Sequence, residues 1–320
     1  MNRTGIKLAY FLAVMNAVII GFSFLFAKVA LEYAAPLDTL TYRFAASFIV
    51  MSIPVAFGWI KLQYRGKALY KALLLSLMYP LGFFTLQTFG LQYASSAEGG
   101  ILYACTPVVT LILASIFLKE KTSLLQKLSI FLSVFGVVFI FVMMGSSIDF
   151  SNVTGLVLLF MTCVAFAGYS VMARSISQQF SPAEITYLML GVGFATFLVT
   201  SLVQHSSAGT TEQFFAPIMN GTFTFIGSIL FLGIISSLGT ALAANYILSK
   251  MEASKMSVFT NLSTIVSIVA GAIFLGEEVT IYHLIGSVLI IAGVVGANYF
   301  GRKKAVQQQS IVIHQSEVVK

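Results

Sequence analysis

Ten long apolar stretches alternate with short polar segments along the chain, and this alternation predicts a bundle of membrane-spanning helices. Each stretch is long enough to cross about 30 Å of hydrocarbon as an α-helix, which satisfies its own backbone polar groups. The segments between them are rich in charged residues, Gly, Ser and Pro. The predicted spans lie near 7–30, 37–59, 68–91, 96–118, 124–144, 153–174, 183–204, 223–248, 254–275 and 279–300.

The composition supports an integral membrane protein with all-α structure. Of the 320 residues, 58% are hydrophobic and 9% are charged, and the mean hydropathy is +0.94. Soluble domains contain about 25% charged residues, so membrane lipid is the expected surrounding of this chain.

Few residues suggest a metal site, a cofactor or a nucleic-acid partner. Cys105 and Cys163 both lie in apolar stretches, which argues against a disulfide framework, and the three histidines are isolated. The net charge of +7 does not require nucleic acid, because basic residues are expected at cytoplasmic loop ends. We therefore expect no metal, no cofactor and no nucleic-acid partner.

The distribution of basic residues predicts the orientation of the chain. Arg3 and Lys7 precede an apolar stretch that is longer than a signal-peptide core and has no clear cleavage site. If this first helix begins in the cytoplasm, all but two of the 18 Lys and Arg residues fall in cytoplasmic segments. The two exceptions, Lys28 and Arg43, lie in predicted helices near the outer face. We expect a multi-pass protein of the cytoplasmic membrane with both termini, including a flexible tail at 301–320, in the cytoplasm.

The two halves of the chain repeat one another. A shift of 157 residues places FLKE at 117–120 on FLGE at 274–277, and a shift of 146 places Asp38 on Glu184. Each half contains five spans, an odd number, so the second copy enters the membrane from the opposite side. The sequence predicts ten helices arranged as two inverted-topology repeats, at 5–144 and 153–300, related by a pseudo-two-fold axis in the membrane plane. Lys119 and Lys121 then lie in a cytoplasmic loop, whereas Gly276 and Glu278 lie outside.

Particular motifs resemble a known family. Residues 20–44 read IGFSFLFAKVALEYAAPLDTLTYRF, and the fourth and ninth helices end in FL-x-E, followed by a Gly and a Val pair in the next helix. The chain resembles the ten-helix EamA-type members of the drug/metabolite transporter superfamily over 7–300, although Ile20 replaces the family's Trp and its Asn is not clearly kept. The resemblance implies alternating access and export of small metabolites, amino acids or related compounds. It also implies a central cavity built largely from helices one, three, four, six, eight and nine.

Arg43 is the strongest charged candidate for a substrate contact. It lies about six residues into helix two, roughly 9 Å deep, where a charge is costly and often functional. Facing a cavity, it would attract a carboxylate or a phosphate. The alternative is that its side chain snorkels to the outer headgroups or pairs with Asp38 or Glu32. Lys28 and Glu98 are candidates for charges at the outer mouth, with snorkelling or solvation as their alternatives.

Uncharged polar side chains at mid-depth form the second candidate set. A cavity with a few hydrogen-bonding groups among apolar and aromatic walls suits a small amphipathic solute. The alternative is hydrogen bonding between helices, worth about 0.6 kcal/mol on average in membranes. The set comprises Asn16, Ser23, Gln87, Tyr103, Tyr169, Asn245 and Asn261.

Helix four contains a candidate gating residue. Pro107 interrupts this helix, whereas the equivalent residue of the second repeat is Thr264, and a proline kinks a helix by removing a backbone donor. Helix four is therefore predicted to move. Gly136 and Gly286 are predicted to be close-packing positions, in helix pairs that could also support a homodimer.

These features favour transport over the other classes of function. No HExxH motif, paired membrane aspartates or nucleophile elbow is present, so no enzymatic activity is expected, and no repeated filter loop indicates a channel. The sequence predicts a secondary transporter that moves a small metabolite outward, with Glu98 or Glu184 as acids for a coupling proton. Multidrug or quaternary-cation efflux is the alternative, against which the lack of an acid at mid-depth counts. A membrane sensor or scaffold is the non-transport alternative.

Overall fold

The computed structural model describes residues 3–93, 102–145, 153–219, 223–275 and 278–318. Over these residues the chain forms ten long helices and no strand, which confirms the predicted fold class. Nine of the described helices are long and apolar enough to cross a membrane, and the described part of the fourth is shorter. The helices are α1 (Arg3–Leu31), α2 (Pro36–Ala56), α3 (69–93), α4 (Leu102–Phe117), α5 (Leu124–Met143), α6 (Val153–Ile176), α7 (Pro182–Ala208), α8 (Phe223–Lys250), α9 (253–275) and α10 (Ile281–Val318).

Two regions differ in detail from the sequence-based expectation. A short helix, Thr211–Met219, lies in the segment between α7 and α8 that the sequence predicts to be a loop. The last helix does not end near residue 300 but continues to Val318. The flexibility of the tail stays a prediction.

Local sequence explains where several helices begin and end. Both α2 and α7 have proline in the first turn, where its missing N–H is not needed. Ser181 and Glu184 form a reciprocal capping box at the start of α7. The same helix ends at Gly209, whose φ of 66° lies in the left-handed region that glycine adopts without steric cost.

The packing of the helices reproduces the repeat. Helix α1 packs against α8 and α9, and its counterpart α6 packs against α3 and α4. The pairs α2–α7 and α5–α10 are each formed by two equivalent helices. Exchanging each helix for its counterpart five places along the chain interconverts or preserves these main contacts, as two inverted repeats require. We call the face of the bundle at which α1 begins and α10 ends the terminal face.

Glycine allows α5 and α10 to approach closely. A Cβ atom at Gly286 would lie 2.8 Å from the carbonyl oxygen of Gly136 and would also overlap Ile140. The two backbones therefore meet where both repeats have glycine, as the sequence predicts.

Gly286→Ala is expected to destabilise the protein by about 1–3 kcal/mol, because the added methyl overlaps the backbone of α5. Gly227→Ala is the matched control, since a Cβ there meets no atom within 4 Å. The stability of both variants can be measured as the temperature at which half of the protein in detergent is no longer monodisperse. Equal midpoints for the two variants would show that the α5–α10 contact adapts to the methyl group.

Candidate substrate site

Two helices are interrupted at equivalent positions of the two repeats. In α3 the interruption covers Leu77–Gly82, and in α8 it covers Phe231–Gly239, both with π-helical hydrogen bonding. The shift of 157 residues places 77–82 on 234–239, inside the second interruption. Tyr79 leaves the helical conformation (φ −146°, ψ 121°) just before a proline. Interruptions at corresponding positions of two repeats are the best backbone indicator of a transporter's binding site.

The side chain of Arg43 lies between these two interruptions. From α2, its Nε donates to Oγ of Ser237 at 2.5 Å and its Nη2 donates to Oγ of Ser236 at 3.1 Å. Its guanidinium carbon lies 4.9 Å from the ring centroid of Phe84 on α3. The Phe84 ring in turn lies 5.5 Å from that of Tyr79. Arg43 thus connects both interrupted helices.

The charge of Arg43 is not neutralised by a protein carboxylate within the described part of the chain. The ion pairs found there are Lys67–Glu184, His205–Asp38 and Lys255–Glu252. Pairing of Arg43 with Asp38, one of the alternatives raised by the sequence, is therefore not observed. Neutral serine hydroxyls orient the guanidinium but leave its charge and further N–H donors for an anionic partner.

An aromatic cluster adjoins Arg43 and includes two of the candidate tyrosines. Tyr79 lies 5.0 Å from Tyr169 and 5.8 Å from Phe166, measured between ring centroids. Tyr103 lies 6.0 Å from Phe166 in turn. The cluster draws on α3, α4 and α6, and brings Tyr103 and Tyr169 to the same region as Arg43.

Tyr169 and Asn245 belong to a buried hydrogen-bond network. The Tyr169 hydroxyl donates to Oδ1 of Asn245 at 2.9 Å, and Nδ2 of Asn245 donates to Oγ1 of Thr186 at 2.9 Å. These bonds join α6, α8 and α7. The observed partners are those of interhelical hydrogen bonding, and substrate contact by Tyr169 and Asn245 stays a prediction.

Asn16 lies in a small cavity between the repeats. The cavity is about 10 Å³ in volume, and α1, α6, α8 and α9 contribute its lining, including Asn16, Phe166, Ile247 and Thr260. Asn16 is 8% exposed, and its Oδ1 is buried without a hydrogen-bond partner. This volume holds about one water molecule, whereas ligand pockets occupy about 300–1,000 Å³. The cavity is therefore too small to hold a metabolite.

The remaining polar candidates do not converge on this cavity. The Ser23 hydroxyl donates to the carbonyl oxygen of Ile20 in its own helix at 2.7 Å. Nδ2 of Asn261 donates to Oγ of Ser133 on α5 at 3.2 Å, so it bonds away from the space that its neighbour Thr260 lines. Gln87 is partly exposed on α3.

Three other predicted residues receive little or no structural description. Glu98 lies outside the described residues, and only the backbone of Lys28 is described, within α1. Pro107 is buried at the start of the helical segment Thr106–Phe117. The irregular residue of α4 is Cys105, which precedes this segment. The interruption that the sequence assigns to Pro107 therefore lies just before it.

Sequence reasoning missed the partners of Asp38 and Glu184, each of which lies in the other repeat. Oδ2 of Asp38 lies 3.0 Å from Nε2 of His205 on α7, and the Ser201 hydroxyl donates to the same carboxylate. At the terminal face, Glu184 accepts from Nζ of Lys67 at 2.6 Å. The repeat alignment of Asp38 with Glu184 was the available signal, because both acids begin helices of the α2–α7 pair. It gave no information about their partners.

The Glu184 contact extends to the segment after α2. The backbone N–H of Gln63 donates to its carboxylate at 2.8 Å, and the Tyr64 hydroxyl donates to its backbone carbonyl at 3.0 Å. Burial, together with the nearby Glu184 carboxylate, raises the pKa of Tyr64 well above its usual value. Tyr64 is therefore a protonated hydrogen-bond donor at physiological pH.

Comparison with known proteins adds independent information. The model of the EamA-like transporter family matches residues 7–142 and 153–299. The uncharacterized transporter YcxC of Bacillus subtilis is 43% identical over 296 residues, covering 92% of this chain and 94% of the relative. An uncharacterized transporter of Archaeoglobus fulgidus is 28% identical over 277 residues, covering 86% of this chain and 92% of the relative. A crystal structure with a TM-score of 0.73 and 15% identity covers 91% of this chain and 98% of its own, and shows the fold alone.

Proposed function

This chain belongs to the EamA-like transporter family, and from that premise we propose that it is a secondary transporter of small metabolites that bear a carboxylate. An amino acid or a related compound is the expected substrate. It moves outward across the cytoplasmic membrane by alternating access of the two repeats. The chain performs transport and no enzymatic reaction.

The position of Arg43 is the observation that supports this substrate class. Ser236 and Ser237 hold its guanidinium between the two interrupted helices, with no ion pair to a described residue. A substrate carboxylate would form charge-assisted, bidentate hydrogen bonds with the guanidinium. Phe84 beside it, with Tyr79 packed against Phe84, provides an apolar wall for the rest of a small amphipathic solute.

Quaternary-cation or multidrug efflux is the second candidate function. The unpartnered Oδ1 of Asn16 and the rings of Phe166 and Phe259 in the same cavity would suit a cationic group. The positive charge of Arg43 disfavours it. The proton as coupling ion and the homodimer stay predictions.

A competitive uptake screen tests the proposed function. Inside-out vesicles containing the protein would be offered labelled amino acids, nucleosides and cationic dyes, with and without a proton gradient. Saturable uptake of a carboxylate compound supports the proposal, and uptake of dyes alone supports the alternative. Movement of no solute, in vesicles and in liposomes with purified protein, would favour a sensor or scaffold.

Opposite sides of the membrane are expected for residues 121 and 278. By the positive-inside rule, we expect the terminal face, which has most of the basic residues, to lie in the cytoplasm. In a chain whose Cys105 and Cys163 are replaced by Ser, Lys121→Cys should react with an impermeant maleimide only in inside-out vesicles. Glu278→Cys should react only in intact cells. Labelling of both cysteines from the same side would contradict the inverted topology.

A further inference from the structure

Helix α9 begins without a side-chain cap of its own. Its first residue is Ala253, and the preceding Glu252 forms no capping hydrogen bond with the helix backbone. The Glu252 carboxylate lies instead 2.9 Å from Nζ of Lys255. The first N–H groups of a helix have no intrahelical partner, so the start of α9 requires acceptors from elsewhere.

Glu120 of the other repeat supplies these acceptors. Its Oε1 accepts from the backbone N–H of Ala253 at 2.9 Å, and its Oε2 accepts from the N–H of Ser254 at 3.3 Å. The Ser254 hydroxyl donates to the same Oε2 at 2.5 Å. A carboxylate is also favoured here by the partial positive charge of the helix N-terminus. The loop between α4 and α5 is thus bonded to α9 across the boundary between the repeats.

The turn that presents Glu120 has an unusual backbone. Lys119 has φ of 54°, in the left-handed region that residues other than glycine rarely adopt. The equivalent position of the second repeat is Gly276, for which this conformation has no steric cost. In the first repeat the FL-x-E motif therefore includes a left-handed residue, Lys119, immediately before Glu120.

Helix α9 forms one wall of the cavity between the repeats. Met256, Phe259 and Thr260 line the cavity and follow Ser254 within two helical turns. A displacement of the start of α9 would move these side chains as well. The bonds to Glu120 therefore oppose opening of the cavity toward the terminal face.

We propose that Glu120 holds the inter-repeat cavity closed at the terminal face, and we call its contact with the start of α9 the latch. Its carboxylate holds the start of α9 against the α4–α5 loop while the cavity is closed on this side, and the three hydrogen bonds break when the cavity opens there. This inference rests on the proposed transport function, in which such an opening admits substrate. Glu120, the glutamate of the FL-x-E motif, then acts in gating rather than in substrate binding.

Cysteine accessibility tests the latch without a substrate. Thr260→Cys, in the chain whose Cys105 and Cys163 are replaced by Ser, would report opening through its rate of reaction with an impermeant maleimide in inside-out vesicles. Glu120→Ala is expected to raise this rate about tenfold, since hydrogen bonds to a charged group are lost. Glu252→Gln is the matched control, because the side chain of this neighbouring acid forms no hydrogen bond with the α9 backbone, and its rate should stay unchanged.

Several outcomes would overturn the proposal. These are an unchanged rate for Glu120→Ala, an equal rise for Glu252→Gln, or an equal rise for labelling in intact cells, which would indicate a loosened fold. If Glu120→Ala does not fold, Ser254→Ala removes only the hydroxyl bond and should still raise the rate severalfold, and no rise would contradict the latch.

The latch and the transport function can fail separately. Faster labelling without uptake in the screen would leave the latch in place and reject the tested substrates. Uptake of a carboxylate compound with unchanged labelling would support transport and reject the latch.

Discussion

Arg43→Gln is expected to reduce transport of a carboxylate substrate by about 100-fold, since it removes one partner of a buried, hydrogen-bonded charge pair. Glutamine can still bond Ser236 or Ser237 but has neither the charge nor the planar fork of donors. If Arg43 contacts the carboxylate in the bound complex, the loss should be largest with limiting substrate and smaller with saturating substrate. Uptake rates at several substrate concentrations in inside-out vesicles measure it.

Two further variants sharpen this test. Arg43→Lys keeps the charge but cannot form a bidentate contact, so it should retain an intermediate rate. Arg174→Gln is the control, because Arg174 donates to the carbonyl oxygen of Leu248 at 2.8 Å and has a structural role between α6 and α8. Unchanged uptake by Arg43→Gln in folded protein would mean that the substrate binds elsewhere.

Asp38→Ala is expected to destabilise the protein by about 3 kcal/mol, because it leaves a buried partner without its counterpart. Asp38 is 4% exposed, and its carboxylate contacts both His205 and Ser201 on the partner helix. The midpoint of thermal unfolding in detergent, measured with and without His205→Ala, gives the coupling between the two side chains. The double variant should lose less stability than the two single variants combined.

A partly exposed acid provides the comparison. The Glu252 side chain is 36% exposed although its partner Lys255 is buried, so Glu252→Ala should cost less than Asp38→Ala. Additive effects of Asp38→Ala and His205→Ala would show that these two side chains contribute independently to the α2–α7 contact.

The candidate site was predictable in its parts but not in its arrangement. Arg43 was recognised from one property, a charge within an apolar helix, and the sequence left open whether it faced lipid, Asp38 or a cavity. In the structure its side chain bonds to Ser236 and Ser237, which lie 193 and 194 residues away along the chain. No spacing in the sequence links such residues, because their contact depends on how α2 packs against α8.

The mid-depth polar set shows the same limit. Depth along a helix follows from residue number, so all seven side chains were placed in the bundle, but the direction of each depends on helix rotation. Asn16 faces the cavity between the repeats, whereas Asn261 bonds to Ser133 on α5. Neighbouring residues such as Thr260 and Asn261 therefore face different surroundings.

The sequence by itself determined the ten helices, their division into two inverted repeats and the expected orientation. These properties depend on local hydrophobicity, on loop charge and on an odd number of spans per repeat, all of which can be counted along the chain. Only the tertiary structure decided that Asp38 meets His205 and that Glu120 caps α9, since these contacts join the two repeats. The FLKE and FLGE motifs identified the repeat from the sequence. The packing of α9 against the first motif showed that Glu120 accepts hydrogen bonds from the start of α9.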